Sequence, residues 1–329
     1  MKKTFGVISA LLVLCSCGAP SAPASISGKL EKAWQTGFGA GYKATLIDGM
    51  LIVPSGQDVF ALDASNGNVI WKYESPRKKV WNSSNIQQFG DSILACFESG
   101  AGSLIVNLTK DGTEIKQYEN ERQSSVPAVS GPRFWQVQSN VISGNVREFK
   151  IEPSLPMIAS NTTKIFSVTQ SNMIRAYDFY GKTVWYKDAV EDVQRISYCE
   201  NILFVVTDKG LLVFEAVTGK FLWTNDSIVT VDPVLFGNNF LYATDKAIIE
   251  VEPTKGIIQH SLGKNGVISF DVTPDGIVLL AGAKVETYDK NFKLLESVDA
   301  FDGTLQVIVG SGMIITNGTV GQTAYRLKK

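Results

Sequence analysis

One phrase, repeated along the chain, restricts the fold more than any other feature. Residues 58–73, DVFALDASNGNVIWKY, read as a strand, a tight polar turn, and a second strand that opens with a tryptophan. Phe60 and Leu62 alternate with their neighbours at the two-residue period of a half-buried strand. Residues 63–67 reverse the chain, with Asn66 and Gly67 expected to supply the positive φ angles of a tight hairpin. The phrase returns as VFEAVTGKFLW at 213–223, as AYDFYGKTVW at 176–185, and as VEPTKGIIQH at 251–260. In each copy a large residue stands four positions after the glycine: Trp71 after Gly67, Trp185 after Gly181, Trp223 after Gly219 and His260 after Gly256. A supersecondary unit reused at fixed spacing cannot bury its apolar face alone, so the units must pack on one another.

Around this phrase the chain divides into units of four short strands. The first unit comprises 44–47, 50–54, 58–62 and 69–73. The others span 76–118, 125–151, 156–186, 193–223, 233–262 and 267–298, with Leu295 at the tryptophan position of the seventh. The third is the least regular, which leaves a seven-bladed ring open. The final unit supplies only three strands, at 304–309, 312–316 and 323–327, while a spare strand bearing Trp34 occupies 29–38. Joining the two completes a ring. The expected fold is therefore all-β: an eight-bladed β-propeller of four-stranded blades, closed by the N-terminal strand, forming one domain over 29–329. Radial repetition suits short strands because it leaves few edges to pair with another chain. The glycine-rich run Gly37–Gly41 precedes a strand rather than a helix, so it reads as a flexible connection and not a nucleotide loop.

Composition removes several classes of function. The sequence holds 31 basic and 32 acidic residues, and loss of Lys2 and Lys3 with residues 1–16 would leave net −3. A nucleic-acid partner would need a concentrated basic face, so none is expected. The chain has one histidine and four cysteines, of which Cys96 and Cys199 fall in different repeats and read as buried thiols. No metal, cofactor or catalytic set is expected from so sparse a supply of ligands and bases. Asp63, Asp178, Glu215 and Glu252 recur before the turns, where acids accept backbone N–H bonds, so they read as turn residues. Trp71, Trp185 and Trp223 read as packing between blades, with His260 structural in the same slot.

At the N-terminus, Lys2 and Lys3 precede an apolar run, 5–14, too short to span a bilayer. It ends in Leu14-Cys15-Ser16-Cys17, which resembles the bacterial lipobox. That resemblance implies a signal peptide at 1–16 and a lipid-bearing first mature residue, Cys17; the plainer alternative is an ordinary signal peptide cleaved near 19–24. Residues 17–28 then form an Ala/Pro/Ser-rich tether. Gly18 stands where an aspartate resembles an inner-membrane retention signal, which favours the outer membrane.

The phrase ALDASNG…W, together with the lipobox and the count of units, resembles the BamB-type lipoproteins of the outer-membrane β-barrel assembly machinery. The resemblance implies a non-catalytic scaffold, anchored by lipid to the periplasmic face of the outer membrane, that binds the barrel-inserting subunit. In that family a short loop with two acids flanking an apolar residue meets the subunit. Asp192 matches the first acid here, Gln194 replaces the second, and the neighbouring Arg195 is a further candidate contact. A second family contact would fall near 148–151, where nothing matches. Quinoprotein dehydrogenases share the repeat and give the alternative reading, a periplasmic enzyme with a quinone and calcium in its channel. Their adjacent-cysteine disulfide is absent here. An unrelated propeller adaptor is a third reading.

Overall fold

Eight four-stranded antiparallel sheets stand around one axis. The structure, a computed structural model, describes residues 28–76, 82–99, 102–120, 125–189 and 191–328. Cys17, the signal peptide and all of the tether but Gly28 lie outside the described residues. Blades I to VII each take four consecutive strands, beginning with Thr45–Ile47, Met50–Ser55, Asp58–Asp63 and Val69–Glu74 in blade I. Later blades span 82–120, 128–150, 154–188, 193–225, 229–263 and 267–299. Blade III, the irregular one, keeps four strands but two of them, Ala128–Ser130 and Glu148–Lys150, are only three residues long. The ring therefore has eight blades and not seven.

The N-terminal strand closes the ring. Blade VIII is built from Thr304–Gly310, Met313–Gly318 and Gln322–Lys328, and its outer strand is Lys29–Gln35. Lys29 pairs with Lys328 and Gln35 with Thr323, antiparallel across the whole length. The segment after it is irregular but not loose, contrary to the flexible connection expected of its glycines. Ala40 is fully buried, and its N–H donates to Gly318 O at 2.9 Å. A Cβ on Gly39 would lie 2.1 Å from Thr319 O, so the backbone packs where a side chain has no room.

Each junction between neighbouring blades holds its own apolar cluster. The one between blades IV and V includes Phe166, Ile196, Leu203 and Trp185; the one between VIII and I includes Leu51, Leu62 and Ile315. Side chains from one sheet face meet those of the next because strand residues alternate in direction.

The tryptophan of one blade caps the glycine turn of the next. The Trp34 indole N–H donates to Ala64 O at 3.0 Å, Trp71 to Lys110 O at 2.7 Å, Trp185 to Ala216 O at 3.1 Å and Trp223 to Pro253 O at 2.8 Å. Each ring lies flat against a turn glycine with positive φ: Gly67, Gly112, Gly219 and Gly256 in that order. The spacing of four therefore links two contacts with different neighbours. The glycine receives the ring of the preceding blade, and the tryptophan is presented to the following one. Only Gly67 is left-handed in the first turn (φ 76°); Asn66 is not, because this is a longer turn with Gly67 N–H donating to Asp63 O at 2.7 Å.

Register corrects the seventh unit. Trp71 pairs with Ala61 after a one-residue bulge, and the equivalent partner of Thr287 is Glu296, not Leu295. Phe292 takes the glycine position of that turn with φ 62°, and His260 of blade VI lies beside its ring at 5.6 Å. A smaller ring thus faces a larger turn residue. In blade II the slot holds Lys116, opposite Asn107. The two slots that carry a charge adjoin the two smallest clusters, with four buried residues between blades II and III and six between VII and VIII.

The turn acids do what the sequence implied. Asp63 accepts the Ser65 hydroxyl at 2.7 Å and the Ser65 amide at 2.8 Å, which holds its carboxyl below the usual range. Asp178 accepts the amides of Tyr180 and Lys182 at 2.8 and 2.9 Å. Cys96 and Cys199 are buried on blades II and V, outside any disulfide, and burial pushes the Cys96 thiol up.

Blades VII and VIII, which lack the ring-on-glycine contact, are stitched near the axis instead. Asp271 accepts the Val309 amide at 2.7 Å and its neighbour Val272 at 2.8 Å. Burial pushes this carboxyl up to about 6, against the partial relief of those two bonds. A raised carboxyl favours the folded state when protonated, so its stabilisation is complete below about pH 4 and is lost as pH rises through 6. Urea unfolding should show the wild type gaining on the order of 1–2 kcal/mol between pH 7.5 and pH 5 from this group, with Asp271→Asn flattening that slope. An unchanged slope in the variant would remove Asp271 as its source.

Candidate partner-binding lip

The crossover from blade IV to blade V forms a fixed lip at one mouth of the ring. First strands of successive blades approach one another and so line the axis. Their starting ends, and the crossovers leading into them, lie on one face; the glycine turns lie on the other. Asp192 immediately precedes the first strand of blade V, Val193–Cys199. Its Oδ1 accepts the Asn172 side-chain amide at 2.8 Å, and its backbone O accepts the Asp208 N–H at 3.0 Å. Neighbouring Glu191 accepts the Thr207 hydroxyl at 3.0 Å and pairs with Lys209 at 3.5 Å. The lip is thus tied to blades IV and V before any partner arrives.

Of the three residues singled out in the sequence, the structure brings two together on the surface. Asp192 and Gln194 are exposed side by side. Arg195 is not presented with them. Gln194 falls at a β-bulge, between the pairs Val193–Thr207 and Arg195–Val206, and the extra residue changes which side the next side chain takes. Arg195 turns toward the axis, where its Nε donates to Asp232 Oδ1 and its Nη2 to Val229 O at 2.9 Å. Its side chain is 18 % exposed and that of Asp232 1 %. Sequence reasoning missed Asp232; its signal was an acid inside the apolar run Val231-Asp232-Pro233-Val234.

On the opposite face a groove of about 370 Å³ runs between blades V and VI, lined by Ile202, Leu222, Leu235, Phe240 and Pro253. Among the described residues no three His, Cys, Asp or Glu side chains converge in a way that could hold a metal ion.

Solved structures share this architecture at very low identity. The computationally designed protein Ika8 superposes with a TM-score of 0.74 at 11% identity, over 92% of this chain and 99% of that one. BamB from Moraxella catarrhalis gives 0.67 at 11%, over 91% and 100%, and Sqt1 from Saccharomyces cerevisiae 0.66 at 10%, over 93% and 100%. At such identities the likeness shows the fold alone. The sequence matches no curated protein. A family model described as outer membrane protein assembly factor BamB matches residues 119–227 and 169–294, overlapping stretches that together cover more than half of the 329 residues. With the repeated turn, the eight blades and that match in agreement, the chain belongs to the BamB family.

Proposed function

We propose that this protein is a non-catalytic, lipid-anchored periplasmic scaffold of the outer-membrane β-barrel assembly machinery. Its lip at Asp192 and Gln194 binds the barrel-inserting subunit, and Cys17 carries the lipid. Membership of the BamB family supports the reading. The single observation that carries the binding site is the exposed pair of Asp192, at the end of a crossover held from both sides, and Gln194, at the bulge that follows it. A rim carboxylate steers and orients a basic partner group more than it adds bulk affinity. Arg195 lies behind the lip, where it bonds Asp232 and Val229 O.

The ring also separates the two attachments. The outer strand of blade VIII starts beside Lys328, at the glycine-turn end, and finishes beside Thr323, near the crossovers. A tether leading to Lys29 therefore leaves the face opposite the lip, and an anchored propeller offers the lip away from its point of attachment.

Fractionation and co-purification test both halves. Asp192→Lys should recover several-fold less of the barrel-inserting subunit, the effect of about 1 kcal/mol at a rim charge. Its melting temperature should stay at the wild-type value because the side chain is exposed. Recovery equal to wild type would remove the lip from the interface. Cys17→Ala should leave the outer-membrane fraction and stay folded, since stable attachment rests on acyl chains. Failure of labelled fatty acid to enter the wild-type protein would sink the anchor. The purified chain should show no bound chromophore and no dye-linked dehydrogenase activity; either one would favour the quinoprotein enzyme.

A further inference from the structure

The channel mouth beneath the lip carries charges for which the scaffold reading has no use. Three side-chain amides of blade VIII fasten the segment 36–44 across this mouth. The Gln322 amide donates to Phe38 O at 2.7 Å, the Asn317 amide to Tyr42 O at 2.9 Å, and Gln306 bonds both N and O of Ala44 at 2.9 and 3.1 Å. Asn317 and Gln322 are fully buried. Lys43 stands between two residues held in this way, so its backbone is fixed at the mouth.

Arg195 of blade V and Asp232 of blade VI face the same space. Blades I and V stand opposite each other in a ring of eight, and Lys43, at the entry to blade I, lies within electrostatic reach of both Asp232 and Arg195. Burial holds Lys43 below the usual lysine range; Asp232 opposes that effect and Arg195 adds to it. Among the described residues, neither Lys43 Nζ nor Arg195 Nη1 has a hydrogen-bond partner, because Arg195 spends Nε on Asp232 and Nη2 on Val229 O. The group holds two basic side chains against one carboxylate, whose Oδ1 is taken by the guanidinium and whose buried Oδ2 has no partner. An excess positive charge withdrawn from bulk water is costly unless an anion compensates it.

We propose that Lys43 and Arg195 form a carboxylate-binding site at the channel mouth, in which Asp232 fixes the guanidinium and leaves its Nη1 side for the ligand. A carboxylate fits better than a cation because Asp232 is already paired with the guanidinium while Lys43 has no acid bonded to it among the described residues. It fits better than a neutral group, which would leave Lys43 uncompensated. Its two oxygens can take one charge-assisted bond from the guanidinium and one from the ammonium. The site does not depend on the identity of the lip's partner.

Acetate and tetraglutamate serve as probes of a free acid and of a peptide-borne carboxylate. Calorimetric titration of the full chain at low ionic strength should give saturable binding of at least one. Lys43→Met, which keeps the length of the side chain, should weaken that binding about ten-fold or more, and Lys43→Arg should restore it. Tighter binding of tetraglutamate assigns a peptide carboxylate; equal binding assigns a free acid. Absence of saturable binding of both probes to the wild type overturns the proposal, as does unchanged affinity in a folded Lys43→Met.

Discussion

A chain beginning at Gly39 should melt roughly 10 °C or more below one beginning at Gly28, a gap of at least about 5 kcal/mol. The shorter chain loses the whole outer strand of blade VIII, which pairs along 29–35 with 323–328. It also loses Trp34, whose indole bonds Ala64 O and covers Gly67 of blade I. The Gln322 amide, fully buried, loses its acceptor on Phe38 O, and a buried donor left unpaired costs about 1–3 kcal/mol by itself. The last strand, Gln322–Lys328, becomes an open edge, so the truncated protein should also self-associate in light scattering. Equal melting temperatures for the two chains would refute closure by the N-terminal strand.

Gly219→Ala should destabilise the protein by about 3 kcal/mol, through two separable effects. The first is conformational, since Gly219 has φ 71° and an L-residue there loses about 1–2 kcal/mol. The second is steric: the new Cβ would sit 2.6 Å from the Trp185 ring and push it off the turn. Gly90→Ala separates them. Gly90 has φ 57° but open space around the added Cβ, so it should show the conformational effect alone, about 1 kcal/mol. Denaturant unfolding of both variants checks the difference. If the two variants were equally stable, the ring-on-glycine contact would contribute nothing beyond backbone geometry.

The same contact explains what could be read from the chain. Strand periodicity and turn acids are local, and their consequences appear within a few residues: Asp63 folds back onto Ser65, and Phe60 and Leu62 alternate. The spacing from glycine to tryptophan was also legible, although its meaning was not. Trp185 read as packing between blades, but nothing local showed that the surface it covers is Gly219, the turn glycine of the next blade. Bulges hid two further assignments. One extra residue moved the tryptophan slot from Leu295 to Glu296, and another turned Arg195 from the lip to the axis. Sequence alternation counts residues evenly, whereas a bulge spends one without advancing the register.

By itself the sequence determined the all-β class and the closure of the ring, because an incomplete last unit and a spare first strand require each other; the four strands of blade III decided eight blades against seven. The sequence also marked Asp192 and Gln194, at the entry to the fifth unit, as candidate contacts. Only the tertiary structure decided that Lys43, Arg195 and Asp232 share one mouth, and that Lys29 and the lip lie on opposite faces. The reason lies in the geometry of a ring. Except in the closing blade VIII, contacts within a blade join neighbours in sequence, but the axis brings together the first strands of blades far apart in the chain. Charges that meet there, from residues 43, 195 and 232, are set by the radius and register of the whole ring, which no local stretch of sequence encodes.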